Sequence, residues 1–347
     1  MATSRGADDG RGRGPPSCSS SNGSAVPGRL PLPSLLPVGN IRRSSRSAEE
    51  LSANPSTHPD ELISRAPPGS SPASFCWMNS PAHTFNVRCG PDYERSRKKL
   101  PSGPALYEVY GIDAYSSEQK LAHVGRVIQL PEPDPAVEAL GLPSLLVINF
   151  MIPNYPPSGL LKKKVSDGPG WNLVIHCRLA DATLADISAG RTPPSVELFR
   201  RFVDPVNGSA LRKNCLKCIF GAVDPNEPGF NMVTRKLVTS YNFKPFLSKT
   251  ASSFYRAKSY FEIDIDIHTW GQTALSGFNS IKSRMSRMNI RGGIVIEADG
   301  DEQMPEQMLF ANYLSHMDPT MVDPFPAELT AWLSDARNHI PPLTCAG

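Results

Sequence analysis

The sequence lacks any long apolar run. No stretch of about eighteen consecutive apolar residues occurs, so no membrane-spanning helix is expected. The opening MATSRGADDGRGRG has no apolar core of the kind a secretory signal carries. Residue 2 is Ala rather than Gly, which removes the myristoylation motif. Strong charge of one sign is also missing. The formal net charge is +3 over 347 residues, which gives no global argument for nucleic acid and makes any basic site a local one. Cysteine comes as an odd seven, not as the even framework of a secreted domain. No Gly-x-Ser-x-Gly elbow and no Gly-rich phosphate loop is present, so nucleophilic catalysis and nucleotide hydrolysis lack a motif. These absences lead us to expect a reduced, cytoplasmic protein, peripheral to a membrane at most, without a cofactor and not an enzyme.

What is present is unevenly placed. Residues 1–73 are Ser, Pro, Gly and Arg with scattered Leu, too little apolar surface to offset the entropy of ordering, and a disordered region is expected there. Short apolar runs begin at Phe75-Cys76-Trp77. TFNVRC (84–89), LYEVYGIDAY (106–115), SLLVINFMI (144–152) and WNLVIHCRL (171–179) read as strands, the third being continuous enough for a central buried one. DATLADISAG (181–190) and PSVELFRRFV (194–203) read as short helices. KTASSFYRAK (249–258) leads into FEIDIDIH (261–268) as a hairpin. The segment 269–290 places Trp270, Ala274, Phe278, Ile281, Met285 and Met288 at helical spacing and predicts one long amphipathic helix. GGIVIEAD (292–299) and LFANYLSHM (309–317) follow as strands, and a short helix is expected near 325–337. The fold class is α+β, with a mostly antiparallel sheet. The division expected is a disordered 1–73, one domain over 74–320, and a short helix with a tail over 321–347.

Several of these pieces, in this order, resemble the C-terminal domain family of the plant protein Enhanced Disease Resistance 2. The resemblance rests on FNVRCGPDYERSRKKLPSGPALYEVYGIDAY, LPSLLVINFMIP, FEIDIDIHTWGQTALSGF and GGIVIEADGDEQMPEQMLFANYL, with Cys76-Trp77 as the opening element. It covers about 75–318. In the plant proteins this domain follows a pleckstrin-homology and a START domain; here a standalone form is expected. The resemblance implies a lipid-linked regulatory setting, carries no catalytic residues, and does not transfer the plant defence role.

Two kinds of candidate site stand out. In FEIDIDIH apolar and polar residues alternate, so Glu262, Asp264, Asp266 and His268 share one face of a strand. That face is a solvent-facing surface with Arg256 and Lys258 as cross-strand partners, the wall of an interior cavity, or, with Glu297, a metal site. Carboxylates two apart on a strand lie nearly 7 Å apart, so they cannot all reach one ion, and no metal is expected. His176 reads as a core histidine, and Cys215-Leu216-Lys217-Cys218 as two thiols without the second pair zinc needs. The basic clusters are the other kind. Arg95, Arg97, Lys98 and Lys99 form one, Lys162, Lys163 and Lys164 a second, and Arg284, Arg287 and Arg291 a third, on a helix face. Each alone reads as a solvated face; where two converge they make a site for lipid headgroup phosphates, each cation adding ~1 kcal/mol near an anionic surface. The leading expectation is therefore a lipid or membrane-surface (phosphoinositide-type) binding module. A protein-interaction domain without a lipid site, and a metal-dependent enzyme on the acidic strand, are the alternatives.

Overall fold

The computed structural model describes residues 36–37, 63–67, 70, 73–157, 166–226 and 229–343. Most of the segment expected to be disordered, and the Lys162–Lys164 cluster, lie outside the described residues.

Two six-stranded sheets carry the fold. The first contains β6 (Tyr107–Ser117), β8 (Leu145–Pro153), β9 (Gly170–Leu179), β12 (Ser252–Arg256), β13 (Tyr260–Asp266) and β16 (Asp323–Pro324), in the order β12-β13-β8-β9-β6-β16. The second contains β2 (Ser64–Arg65), β3 (Cys76–Asn79), β10 (Leu216–Ala222), β11 (Phe246–Leu247), β14 (Asn289–Ile296) and β15 (Met308–Ser315), in the order β11-β10-β14-β15-β3-β2. Two short pairs complete the strands: β1 (Leu36–Pro37) with β7 (Ile128–Gln129), and β4 (Asn86–Arg88) with β5 (Lys99–Pro101). The α-helices of the described residues are α1 (Tyr93–Ser96), α2 (Pro135–Ala139), α3 (Asp181–Ser188), α4 (Pro194–Val203), α5 (Ser209–Asn214), α6 (Met232–Tyr241), α7 (Gln272–Lys282) and α8 (Ala327–Ser334).

The class is α+β, but the sheets are mixed. β13 runs parallel to the central β8 along its whole length, and β2, β7 and β16 also make parallel pairs. Alternation in the strands divides the first sheet cleanly. Leu146, Ile148 and Phe150 of β8, with Phe261, Ile263 and Ile265 of β13, face a core shared with Cys218, Ile294, Ile296 and Phe310 of the second sheet. Leu145, Val147 and Tyr260 face the other way. They meet Leu121, Val124, Val127 and Ile128 from the segment after β6, and Leu329 and Trp332 of α8. Both faces of β8 are thus covered, which is why its sequence is a continuous apolar run.

One expectation changes. The predicted helix over 269–290 stops at Lys282; Met285–Arg287 is a single 3₁₀ turn, and Asn289 already begins β14. β14 pairs on both sides, Ile290 with Ala222 and with Leu314, and these ladders outweigh the helical spacing of the methionines. β13 and β14, the strands on either side of α7, lie in different sheets. The described fold also reaches upstream of residue 74: Ile63 is fully buried and Ser64–Arg65 pairs with Cys76-Trp77.

Candidate functional site

The polar face of β13 is buried. Glu262 and Asp264 are both 0 % exposed, so the wet-surface reading of FEIDIDIH fails. Nor do the expected partners meet them. Arg256 sits opposite Phe261 and pairs with Glu138 at 3.7 Å. The carboxylates instead hold the segment 120–125, which crosses above them. Lys120 Nζ donates to Asp266 at 2.8 Å, the His123 backbone N–H to Asp264 at 2.8 Å, and the Gly125 N–H to Glu262 at 3.1 Å. Each acid, spaced two residues along the strand, thus takes one successive donor of the crossing segment. Asn149 and Asn172, on the neighbouring strands β8 and β9, extend the same polar strip. Both donate to the Leu121 carbonyl, at 2.9 and 2.8 Å, and Asn149 also donates to Asp264 at 3.0 Å.

Two backbone features make this approach possible. His123 sits in the left-handed region, φ 54°, where its N–H turns toward Asp264. At Gly125 an added Cβ would lie 2.8 Å from Glu262 Oε2 and 2.9 Å from the Tyr260 ring, so only glycine lets the chain come this close. The electrostatics follow from burial. Desolvation, reinforced by the neighbouring Asp264 charge, raises the Glu262 carboxyl well above its usual range. Desolvation also raises Asp264, to about 6, against the lowering effect of the His123 N–H. Burial lowers His123 to about 3, so its ring is neutral at physiological pH. That ring stacks on Tyr255 at 3.9 Å, with Nε2 3.0 Å from the Tyr260 hydroxyl.

These acids do not converge on an ion site. Glu297, the fourth metal candidate, belongs to the second sheet's side of the molecule, just after β14. It joins a closed network in which Arg88 and Lys217 each bridge Glu297 and the buried Glu306, over 2.6–3.4 Å. No group of three or more metal-ligating side chains occurs among the described residues. His176 is fully buried and pairs with Asp113 at 2.9 Å, and His268 contacts Tyr155 at 2.8 Å. Cys215 and Cys218 are free thiols, both raised by burial.

The basic clusters are only partly brought together. Arg95, Arg97 and Lys98 sit exposed between β4 and β5 and Lys99 opens β5, also exposed, with Arg97 over the Tyr93 ring. Arg284, Arg287 and Arg291 do not share a helix face. Arg284 lies beyond the end of α7, Arg287 in the 3₁₀ turn, and Arg291 in β14 over the Tyr313 ring. A group the sequence reading missed lies on α6. Met232 and Val233, 87 % and 78 % exposed, stand beside the exposed Arg235 and Lys236. Val238 of α6 packs with Phe230 and with Met288, the residue that follows the 3₁₀ turn. The cue was available: Asn231 caps this helix, its side chain accepting from the Thr234 N–H at 2.8 Å.

Residues 77–318 match the family described as Protein ENHANCED DISEASE RESISTANCE 2, C-terminal. The chain belongs to this family. A relative from Arabidopsis thaliana, "Protein ENHANCED DISEASE RESISTANCE 2-like", is 23 % identical over 249 residues, covering 71 % of this chain. The match spans 29 % of that relative's length, so the family domain is one part of the longer protein. No solved structure matches. The family match contains β13 and the segment 120–125 that its acids hold; α8 and the tail lie beyond it.

Proposed function

We propose that this chain is a regulatory module that docks reversibly on anionic membrane surfaces. The observation that carries the reading is the α6 lobe, where exposed Met232 and Val233 stand directly beside Arg235 and Lys236. Apolar side chains flanked by cations are what an interfacial helix presents, the former entering the headgroup boundary and the latter meeting lipid phosphates. The two cations of α6 add roughly 2 kcal/mol at ~1 kcal/mol each near an anionic surface. Recognition at the surface also agrees with the interior. Two clefts among the described residues hold about 10 and 120 Å³, each below the roughly 300 Å³ at which ligand-sized cavities begin. No helix of the described residues is long and apolar enough to cross a membrane.

Vesicle co-sedimentation of the full chain tests this. Vesicles rich in anionic lipid should bind it at low salt and release it at high salt, and neutral vesicles should not bind. Met232→Glu with Val233→Glu should cut binding at least about tenfold, as should Arg235→Ala with Lys236→Ala. If vesicles of both kinds leave the chain in solution, the exposed Met232–Val233 patch becomes a protein-docking surface and the membrane reading is wrong.

A further inference from the structure

A cleft of about 120 Å³ opens above the buried acids, between the segment 120–126, β12 and the tail after α8. Its space is several times the ~30 Å³ of a liquid water, enough for a small polyatomic ion. Its floor is the His123 ring stacked on Tyr255. Lys120, Arg126 and His339 line it, and Ile340 closes one side. His123 is 5 % exposed, and its Nδ1 has no hydrogen-bond partner among the described residues. Tyr260, itself buried, places its hydroxyl 3.0 Å from His123 Nε2. A buried hydroxyl needs an acceptor, so Nε2 takes that role. The ring proton then sits on Nδ1, a buried donor with nothing to receive it. The Arg126 guanidinium is held over the Trp332 ring at 4.4 Å, which fixes one cation at the cleft.

We propose that this cleft binds a small phosphate-type oxyanion, held by the His123 Nδ1–H with Arg126 and His339 around it. The site stands apart from the α6 lobe and does not rest on the membrane reading. An oxyanion supplies the acceptor that His123 lacks, and charge-assisted bonds from Arg126 suit its geometry. The ion belongs either to a soluble phosphate ester or to a lipid headgroup, since the shared chemistry is the phosphate.

Calorimetric titration of the full chain with inorganic phosphate, at constant ionic strength with chloride as control, tests the site. Binding should be saturable, and the Nδ1 resonance of ¹⁵N-labelled His123 should move with it. Arg126→Gln and His339→Ala should each weaken binding about tenfold. His339 is exposed, so its replacement keeps the fold even if Arg126→Gln loosens α8. Absence of binding, an unmoved His123 resonance, or affinity unchanged in both variants overturns the proposal. Where phosphate binds as expected, vesicles carrying phosphatidylinositol phosphate identify its source. Loss of vesicle binding in Arg126→Gln assigns a headgroup, and vesicle binding untouched by it assigns a soluble ester.

Discussion

At the scale of single residues, the alternation in FEIDIDIH is explained by what lies across from each acid. Asp264 takes the His123 N–H and an Asn149 amide proton, both buried. Asp264→Ala strands these donors and should cost about 1–3 kcal/mol per unsatisfied group in urea unfolding. Gly125→Ala pushes a methyl into Glu262 and Tyr260 and should cost about 1–3 kcal/mol. The pH dependence has two limbs. The raised Asp264 and Glu262 keep their protons in the folded state after the unfolded chain has lost them. Their contribution is therefore full below about pH 4 and is lost as pH rises through about 6 for Asp264, and higher for Glu262. His123, lowered to about 3, and His268, lowered to about 4, work in the opposite sense. Their contribution is present above about pH 6.5 and is lost as pH falls through the folded values. Glu262→Gln keeps an acceptor for Gly125 without a charge to bury. Melting curves across pH should show its alkaline limb flattened by up to about 1.4 kcal/mol per pH unit, with the acid limb unchanged.

At the scale of elements, the Arg88–Lys217–Glu297–Glu306 network joins β4, β10, the end of β14 and the turn before β15. Glu306 is 2 % exposed and also accepts the Ala298 N–H at 3.0 Å. Glu306→Ala leaves Lys217 buried without its nearest counter-charge and should destabilise the chain by about 3–5 kcal/mol, read as a shifted urea midpoint. Elements of this kind were unequally legible in the sequence. β6, β8, β9 and β13 could be read because their apolar runs and alternation are local signals set by burial on one face or both. The helix over 269–290 was overextended because the strand pairing of Asn289 and Ile290 is a non-local fact that no spacing encodes. The acids of β13 were misplaced for the same reason: their partners lie about 140 residues away, in LAHVG, a stretch with no motif of its own. α6 fell in a segment without clear periodicity, since its inward face buries only Val238 and exposes Met232 and Val233.

At the scale of the whole molecule, the two sheets, the covering segment and the tail form nested layers. α8 packs Leu329 and Trp332 on the outer face of the first sheet, and the Leu343 N–H reaches the Phe254 carbonyl at 2.7 Å. The tail is therefore part of the fold rather than an appendage. Truncation before α8 uncovers Tyr115, Val127 and Tyr260 and should lower the thermal midpoint while raising binding of hydrophobic dyes. The acidic face lies beneath this cover, and α6 presents apolar and cationic groups together at the surface.

Amide hydrogen exchange at His123 and Gly125, with and without added Mg²⁺ or Ca²⁺, tests most directly whether the acids of β13 are occupied by the chain's own backbone. Both amides should exchange slowly and be unaffected by either cation, and Asp264→Ala should selectively release the His123 amide, whose acceptor it removes. Fast exchange at both positions in the wild-type chain, or protection that appears only when a divalent cation is added, would contradict this and return the acidic strand to the role of a metal site.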